Sequence, residues 1–273
     1  MKNAMAEFEE RWSLPNLRSA VRWCEDRNLK GIRCILDALG EYARDENQAL
    51  KSVEAYISCA RAIKEHSLNA SLTLKLTSVG ATFDLALCRK NARTIVNETA
   101  RQHVSCEIDM EGRKLVSYVL DIALLYAQEG EPLTLALQAY LDRTPHDLQE
   151  AIEHKIRPRI VKGTYVGDAT GFKDIQQRFK TLVEISIANG NPFSVGTHDP
   201  ELIRWMEREM ENEKDQIEFG FLKGLSDATK IDLANSGWRV AEYVPFGSSR
   251  SAYEARRLKY LRELHGLGRT PMP

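Results

Sequence analysis

The chain has 273 residues, 43% hydrophobic and 28% charged, with 38 Lys and Arg against 39 Asp and Glu, the composition of an ordinary soluble globular protein. A chain of that length buries most of the surface its unfolded form exposes and needs no metal or disulfide staple; its near-zero charge argues against general nucleic-acid binding, which goes with a basic surplus. One asymmetry stands out: residues 250–273 carry six Arg/Lys and two Glu, net +4, leaving −5 for residues 1–249.

In chain order, Glu7, Glu9, Glu10 and Arg11 precede any apolar run, so the N-terminus does not read as a signal peptide. Residues 1–30 read as an N-terminal helical segment. Short apolar, β-branched runs then alternate with stretches of helical period. The expected strands are 31–37, 71–77, 103–109, 133–139, 158–163, 192–197, 216–221 and 238–243. Helices are expected near 45–66, 83–100, 112–129, 144–156, 171–189, 199–212 and 225–236, with a last one near 249–265. Eight strand–helix units in this length predict a (β/α)8 TIM-type barrel whose last helix lies at the barrel mouth. A doubly wound open sheet is the competing arrangement, but no GxGxxG follows the first strand. No linker interrupts residues 1–273, so they read as a single domain. Five cysteines without a CxxC pair read as thiols of a reducing cytoplasm. No run of uncharged apolar residues is long enough to span a bilayer; peripheral membrane contact stays open.

A barrel places its site at the C-terminal ends of the strands. The residues expected there are Asp37, Lys75, Asp109, Glu111, Gln138, Arg159, Lys162, Thr197, His198 and Tyr243. Lys75 interrupts LTLKLT, and a lysine is almost never fully buried without a partner. Asp109 and Glu111 could be a metal-binding pair; with cations at the other strand ends, ion pairing is the more natural reading. Asp199 reads as the cap of the next helix, with Pro200 at its first position. Gly163, between Lys162 and Tyr165, would let backbone approach a ligand closely. On the last helix Tyr253, Arg256, Arg257 and Tyr260 share about one third of the circumference. Two guanidiniums between tyrosines suit one carboxylate.

With these motifs in order, the chain resembles the proline dehydrogenase family of flavin-dependent barrels. SLTLKLTSVG is similar to that family's lysine strand, CEIDMEG to its aspartate strand and LALQAYLDRT to its glutamine strand. RIVKGTY, GTHD, and EYVPFG followed by YEARRL complete the series. The resemblance implies FAD, touched by Met110, Gln138, Val161, Lys162, Gly163, Thr197 and His198. It implies that Arg159 sits near flavin N5 as a catalytic group, and that Asp109 orients the arginines. Lys75, Arg256 and Arg257 would hold the substrate carboxylate, with Tyr243 and Tyr253 lining the pocket. The implied reaction is oxidation of L-proline to Δ1-pyrroline-5-carboxylate by hydride transfer, with a quinone or other electron acceptor. No metal and no nucleic acid are implied. One departure marks the pattern: Tyr260 stands where the family has a glutamate for the substrate amine. It raises a second expectation, a flavin enzyme for a modified, larger or N-alkylated amino acid. A flavin-binding protein without turnover and a metal-dependent barrel lyase are the remaining alternatives.

Overall fold

The computed structural model describes residues 10–40, 42–248 and 250–266; in the last helix the side chains of residues 251, 252, 260 and 263–266 lie outside the described set. Eight parallel strands follow one another round a closed barrel. They are β1 (Ile32–Ala38), β2 (Ala70–Leu74), β3 (Ser105–Ile108), β4 (Leu133–Gln138), β5 (Arg157–Val161), β6 (Phe193–Gly196), β7 (Ile217–Leu222) and β8 (Arg239–Phe246). The β1–β8 ladder runs from Ile32↔Val240 to Ala38↔Phe246 and closes the sheet, which excludes the open arrangement.

Helix α1 (Leu17–Leu29) precedes the barrel. Between strands run α2 (Glu46–Glu65), α3 (Leu85–Gln102), α4 (Val116–Gln128), α5 (Thr144–Glu153), α6 (Phe172–Asn189), α7 (Pro200–Glu209) and α8 (Asp227–Asn235). Helix α9 (Ser251–Gly266) follows β8. Local chemistry sets the boundaries. Asp45, Asp84 and Asp199 accept the backbone N–H of Gln48, Leu87 and Glu201, and so cap α2, α3 and α7. Gly190, at φ +77°, ends α6 in the left-handed region.

The two faces of the strands differ. Outward residues such as Ile32, Cys34, Leu36, Leu72, Leu74, Ile108, Leu135, Phe193 and Phe219 are buried against helices. Helix α2 meets them with Val53, Tyr56, Cys59, Ala60 and Ile63 at helical spacing. Each such side chain contributes about 1.5–3 kcal/mol of apolar burial. This outer shell is the hydrophobic core. The inward face is polar: Arg33 and Asp37 on β1, Ser71 and Thr73 on β2, Glu107 on β3, Arg157 and Arg159 on β5, Ser194 on β6, and Glu218 on β7. Bulky branched residues are the usual filling there.

Among the boundaries that differ from the sequence pattern, two shape the mouth. Strand β2 ends at Leu74 rather than continuing to residue 77, and Leu76–Ser78 form a 3-10 turn. The Lys75 N–H turns away to the Tyr56 hydroxyl at 3.3 Å, and Ser78 Oγ donates to Lys75 O at 2.6 Å. Strand β8 runs on to Phe246 because its ladder with β1 continues to Ala38, and Leu14 adds a parallel bridge there, with Leu14 N donating to Pro245 O at 2.8 Å.

Candidate active site

The C-terminal ends of β1, β2, β3 and β8 converge on one cation. Lys75 is only 8% exposed. Its ammonium pairs with Asp37 at 2.8 Å and Asp109 at 2.9 Å, and donates to the Tyr243 hydroxyl. The Tyr243 hydroxyl in turn donates to Asp109 Oδ2 at 2.6 Å. Burial alone would raise the Asp109 carboxyl. Lys75 and Arg159, with the Tyr243 hydrogen bond, outweigh it and hold that carboxyl well below the usual range. Burial and the neighbouring Asp109 and Asp37 push the Tyr243 phenol well up, so it stays protonated.

Asp109 is expected to pair with Lys75 and with the site's arginines; besides Lys75 it meets Arg159 of β5, which donates to it from Nη2. Arg159 Nη1 donates to Glu107 Oε2 at 2.6 Å. Below this, Arg33 donates to Glu107 at 3.0 Å and forks onto both oxygens of Glu218 at 2.7 and 2.8 Å. Ser71 donates to Glu107, Ser194 donates to Glu218 at 3.1 Å, and Arg157 lies 3.3 Å from Glu218. Arg33, Lys75, Arg157 and Arg159 thus face Asp37, Glu107, Asp109 and Glu218 inside the barrel. Among the described residues the four charges of each sign cancel in this network.

Strands β3 to β6 form the other side of the mouth. Gln138, at the end of β4, donates to Glu111 O at 3.2 Å and accepts from the Tyr140 hydroxyl at 2.8 Å. Glu111 is buried and accepts from the N–H and hydroxyl of Thr77 at 3.1 and 2.8 Å. Burial raises its carboxyl in spite of those bonds. A carboxylate so engaged joins loops and is not a spare metal ligand. Met110 is buried and Val161 half-buried beside these groups. Lys162 pairs with Asp199 at 3.1 Å and lies over the Phe172 ring at 4.6 Å. Thr197 Oγ1 accepts the Asp199 N–H at 3.1 Å.

Gly163 also makes room for a neighbouring side chain. At φ +125°, its absent side chain leaves room for the Tyr140 ring, onto which any Cβ would fall. A substitution there disturbs the Tyr140–Gln138 pair first. Gly163→Ala is expected to lower the melting temperature; an unchanged melting temperature would show that the Tyr140 ring gives way. His198 is likewise internal. Its Nε2 accepts the Leu222 N–H at 3.1 Å and its Nδ1 pairs with the Ser226 hydroxyl at 3.2 Å. Burial, then the charges of Lys230, Arg257 and Lys162, lower it to about 3, so the imidazole is neutral. With Nε2 accepting, the proton sits on Nδ1.

Helix α9 brings the basic end of the chain to this mouth. Tyr253 is buried, and Arg256 and Arg257 are half-buried. Arg257 lies over the Tyr253 ring at 5.2 Å. Two buried polar atoms on this face, the Tyr253 hydroxyl and Arg257 Nε, have no hydrogen-bond partner among the described residues. Burial, outweighing Arg257, raises the Tyr253 phenol to about 12. Ser13 Oγ donates to Glu254 at 2.7 Å and ties the helix to the segment before α1. The Tyr260 side chain lies outside the described residues.

Sequence reasoning placed Asp37 at a strand end without giving it a task, and missed Arg33, Glu107, Arg157 and Glu218. A signal existed: Arg33 and Asp37 on β1, Glu107 and Asp109 at the end of β3, and Arg157 and Arg159 on β5 are spaced by two or four, so each set shares one face of a strand whose other face is apolar.

The fold and the mouth define a (β/α)8 barrel whose entrance carries cations and unpartnered donors suited to a small anion. Residues 20–262 match the proline dehydrogenase family model, and the chain belongs to that family. It is 33% identical over 249 residues to proline dehydrogenase 1 of Bacillus subtilis, covering 89% of this chain and 82% of that one. Proline dehydrogenase of Deinococcus radiodurans is 29% identical over 255 residues, with the same coverage. Among solved structures, proline utilization A from Bdellovibrio bacteriovorus, inactivated by N-propargylglycine, superposes with a TM-score of 0.84. Identity there is 16%, over 94% of this chain and 33% of that one, so this chain spans about a third of it.

Proposed function

We propose that the protein oxidises L-proline to Δ1-pyrroline-5-carboxylate with FAD at the barrel mouth. The observation that carries this reading is the pair of unpartnered polar atoms on α9, Arg257 Nε and the Tyr253 hydroxyl, in a chain of this family. Buried donors without partners cost about 1–3 kcal/mol each, and a carboxylate brought against them removes that penalty.

The residues at the mouth fit a flavin. Arg159, Lys162 and Arg257 favour a group that becomes negative, and His198 is fixed in its neutral form. Gln138, Val161, Lys162 and Gly163 would flank the ring, with Met110 and Thr197 beside them. When bound, FAD supplies the acceptor for the hydride. Arg256 and Arg257 bind the substrate carboxylate and fix the approach of its ring. Arg159 provides fixed positive charge held by two carboxylates. Lys75, with its ammonium on Asp37, Asp109 and Tyr243, braces that wall of the pocket beside the carboxylate. A quinone or another carrier then takes the electrons. No helix among the described residues is long and apolar enough to cross a membrane.

Tyr260 favours a second reading, in which the amine carries an alkyl group or a larger ring. An aromatic face attracts a cationic amine by about 0.5–2 kcal/mol, yet supplies no charge-assisted hydrogen bond. Anaerobic addition of L-proline decides between the two. Bleaching of the visible flavin band supports proline; a flavin left oxidised by saturating proline but bleached by an N-alkylated imino acid supports the second reading.

A further inference from the structure

We infer that Glu107, on the floor of the barrel, is a positioning residue for the chemistry at the mouth: it fixes the Arg159 guanidinium and sets the net charge beneath the cofactor. The inference rests on the reading that a flavin occupies this mouth.

The Arg159 fork is held at both ends. Nη1 donates to Glu107 at 2.6 Å and Nη2 to Asp109. One carboxylate alone would let a planar guanidinium swivel; two on separate nitrogens fix its plane. Glu107 is itself clamped, accepting Arg33 at 3.0 Å and the Ser71 hydroxyl on Oε1. Arg33 is in turn forked onto Glu218. A column of alternating charge therefore crosses the interior from β7 through β1 and β3 to β5.

Stability does not explain this column. A well-packed apolar filling of a buried ion-paired core is often as stable or more so, and apolar layers are the ordinary content of such barrels. What an apolar layer cannot do is orient a guanidinium and cancel its charge. Among the described residues the interior network balances four cations against four anions, so neutralising Glu107 shifts the charge under the mouth by one unit toward positive. That charge favours the reduced, more negative cofactor. Glu107 touches neither substrate nor cofactor in this arrangement and acts through Arg159.

The test uses holoenzyme of Glu107→Gln, Glu107→Asp and Arg33→Met/Glu107→Gln, with the flavin midpoint potential measured against a chemical reductant. Glu107→Gln is expected to move the midpoint positive. Its kcat should fall between about ten- and a hundredfold, with KM for proline within about twofold because α9 holds the carboxylate. The double variant removes one charge of each sign and should return the midpoint toward wild type while kcat stays low. Glu107→Asp keeps the charge on a shorter arm, so kcat falls at an unchanged midpoint; this variant decides the matter if Glu107→Gln does not fold. A folded Glu107→Gln with an unchanged or more negative midpoint overturns the inference, as does wild-type kcat in Glu107→Asp. Because the potential is read without proline, a wild-type flavin that proline fails to reduce sinks the substrate reading alone.

Discussion

Replacing Asp109 by asparagine is expected to lower turnover with proline by at least about a hundredfold and to lower the melting temperature by roughly 5–10 °C. Both effects have one origin. Asp109 accepts from Arg159 Nη2 on one oxygen and from Tyr243 and Lys75 on the other. An amide keeps the shape but cancels the charge, and its NH2 faces donors where a carboxylate oxygen accepted from them. Arg159 then loses one of its two clamps, and Lys75 loses one carboxylate while keeping Asp37. Removing one partner from a buried pair costs about 3–5 kcal/mol, because the charge left behind stays out of water. The pH dependence carries the same signature. The folded-state carboxyl of Asp109 lies below its unfolded value, so its stabilisation is complete above about pH 4 and is lost as the pH falls through the folded value. Wild-type and Asp109→Asn melting temperatures should therefore differ most near neutrality and converge in acid. Calorimetry across that range checks it; a constant difference down to strong acid would show that the stability effect is not the carboxylate's charge.

Glu218 is expected to contribute acid sensitivity of the same sign. Burial opposes its ionisation, but Arg33, Arg157 and Ser194 bring it down to about 2. Its contribution likewise disappears on acidification. The interior thus ties folding to the ionised state of carboxylates that sit far from solvent.

The barrel was legible because helix and strand periods alternate eight times, and each expected strand overlaps an observed one. The mouth was legible where a charged residue interrupts an apolar strand end, as Lys75 and Asp109 do. Partners were less so. Whether the charge of Asp109 faces α9 or β5 depends on strand register round a closed sheet, which no local pattern encodes. Glu107 and Glu218 escaped for a related reason. In an open sheet with one wet face, SCEI and QIEF read as ordinary alternation, with the glutamate toward water. Only closure puts that face inside, and only then does a glutamate require an arginine. Gly163 shows a third limit: its glycine is explained by Tyr140, which is 23 residues away and reaches it through the β4–β5 pairing. His198 shows a fourth, since its two nitrogens are taken by a backbone N–H and a hydroxyl from the β7–α8 region.

Arg257→Met is expected to separate stability from function in the opposite sense to Asp109→Asn. Arg257 Nε is buried with no hydrogen-bond partner among the described residues, and the same holds for the neighbouring Tyr253 hydroxyl. Removing an unsatisfied donor relieves a penalty of about 1–3 kcal/mol, and methionine retains much of the apolar stem packed beside Tyr253. The variant should therefore melt at or slightly above the wild-type temperature. Its KM for proline, in contrast, should rise roughly a hundredfold, about 3 kcal/mol, because a charge-assisted hydrogen bond to the carboxylate is lost. The loss is uniform along the reaction, so kcat changes much less than KM. A carboxylate analogue that cannot be oxidised makes the same distinction without turnover. At a concentration about a hundred times its Kd it stabilises wild type by about 2.7 kcal/mol, and at that same concentration it should leave Arg257→Met almost unmoved. A variant that melts well below wild type and keeps its KM would assign Arg257 to packing and leave the carboxylate to Arg256. The result expected instead is a helix that is under-satisfied when empty and completed by its ligand.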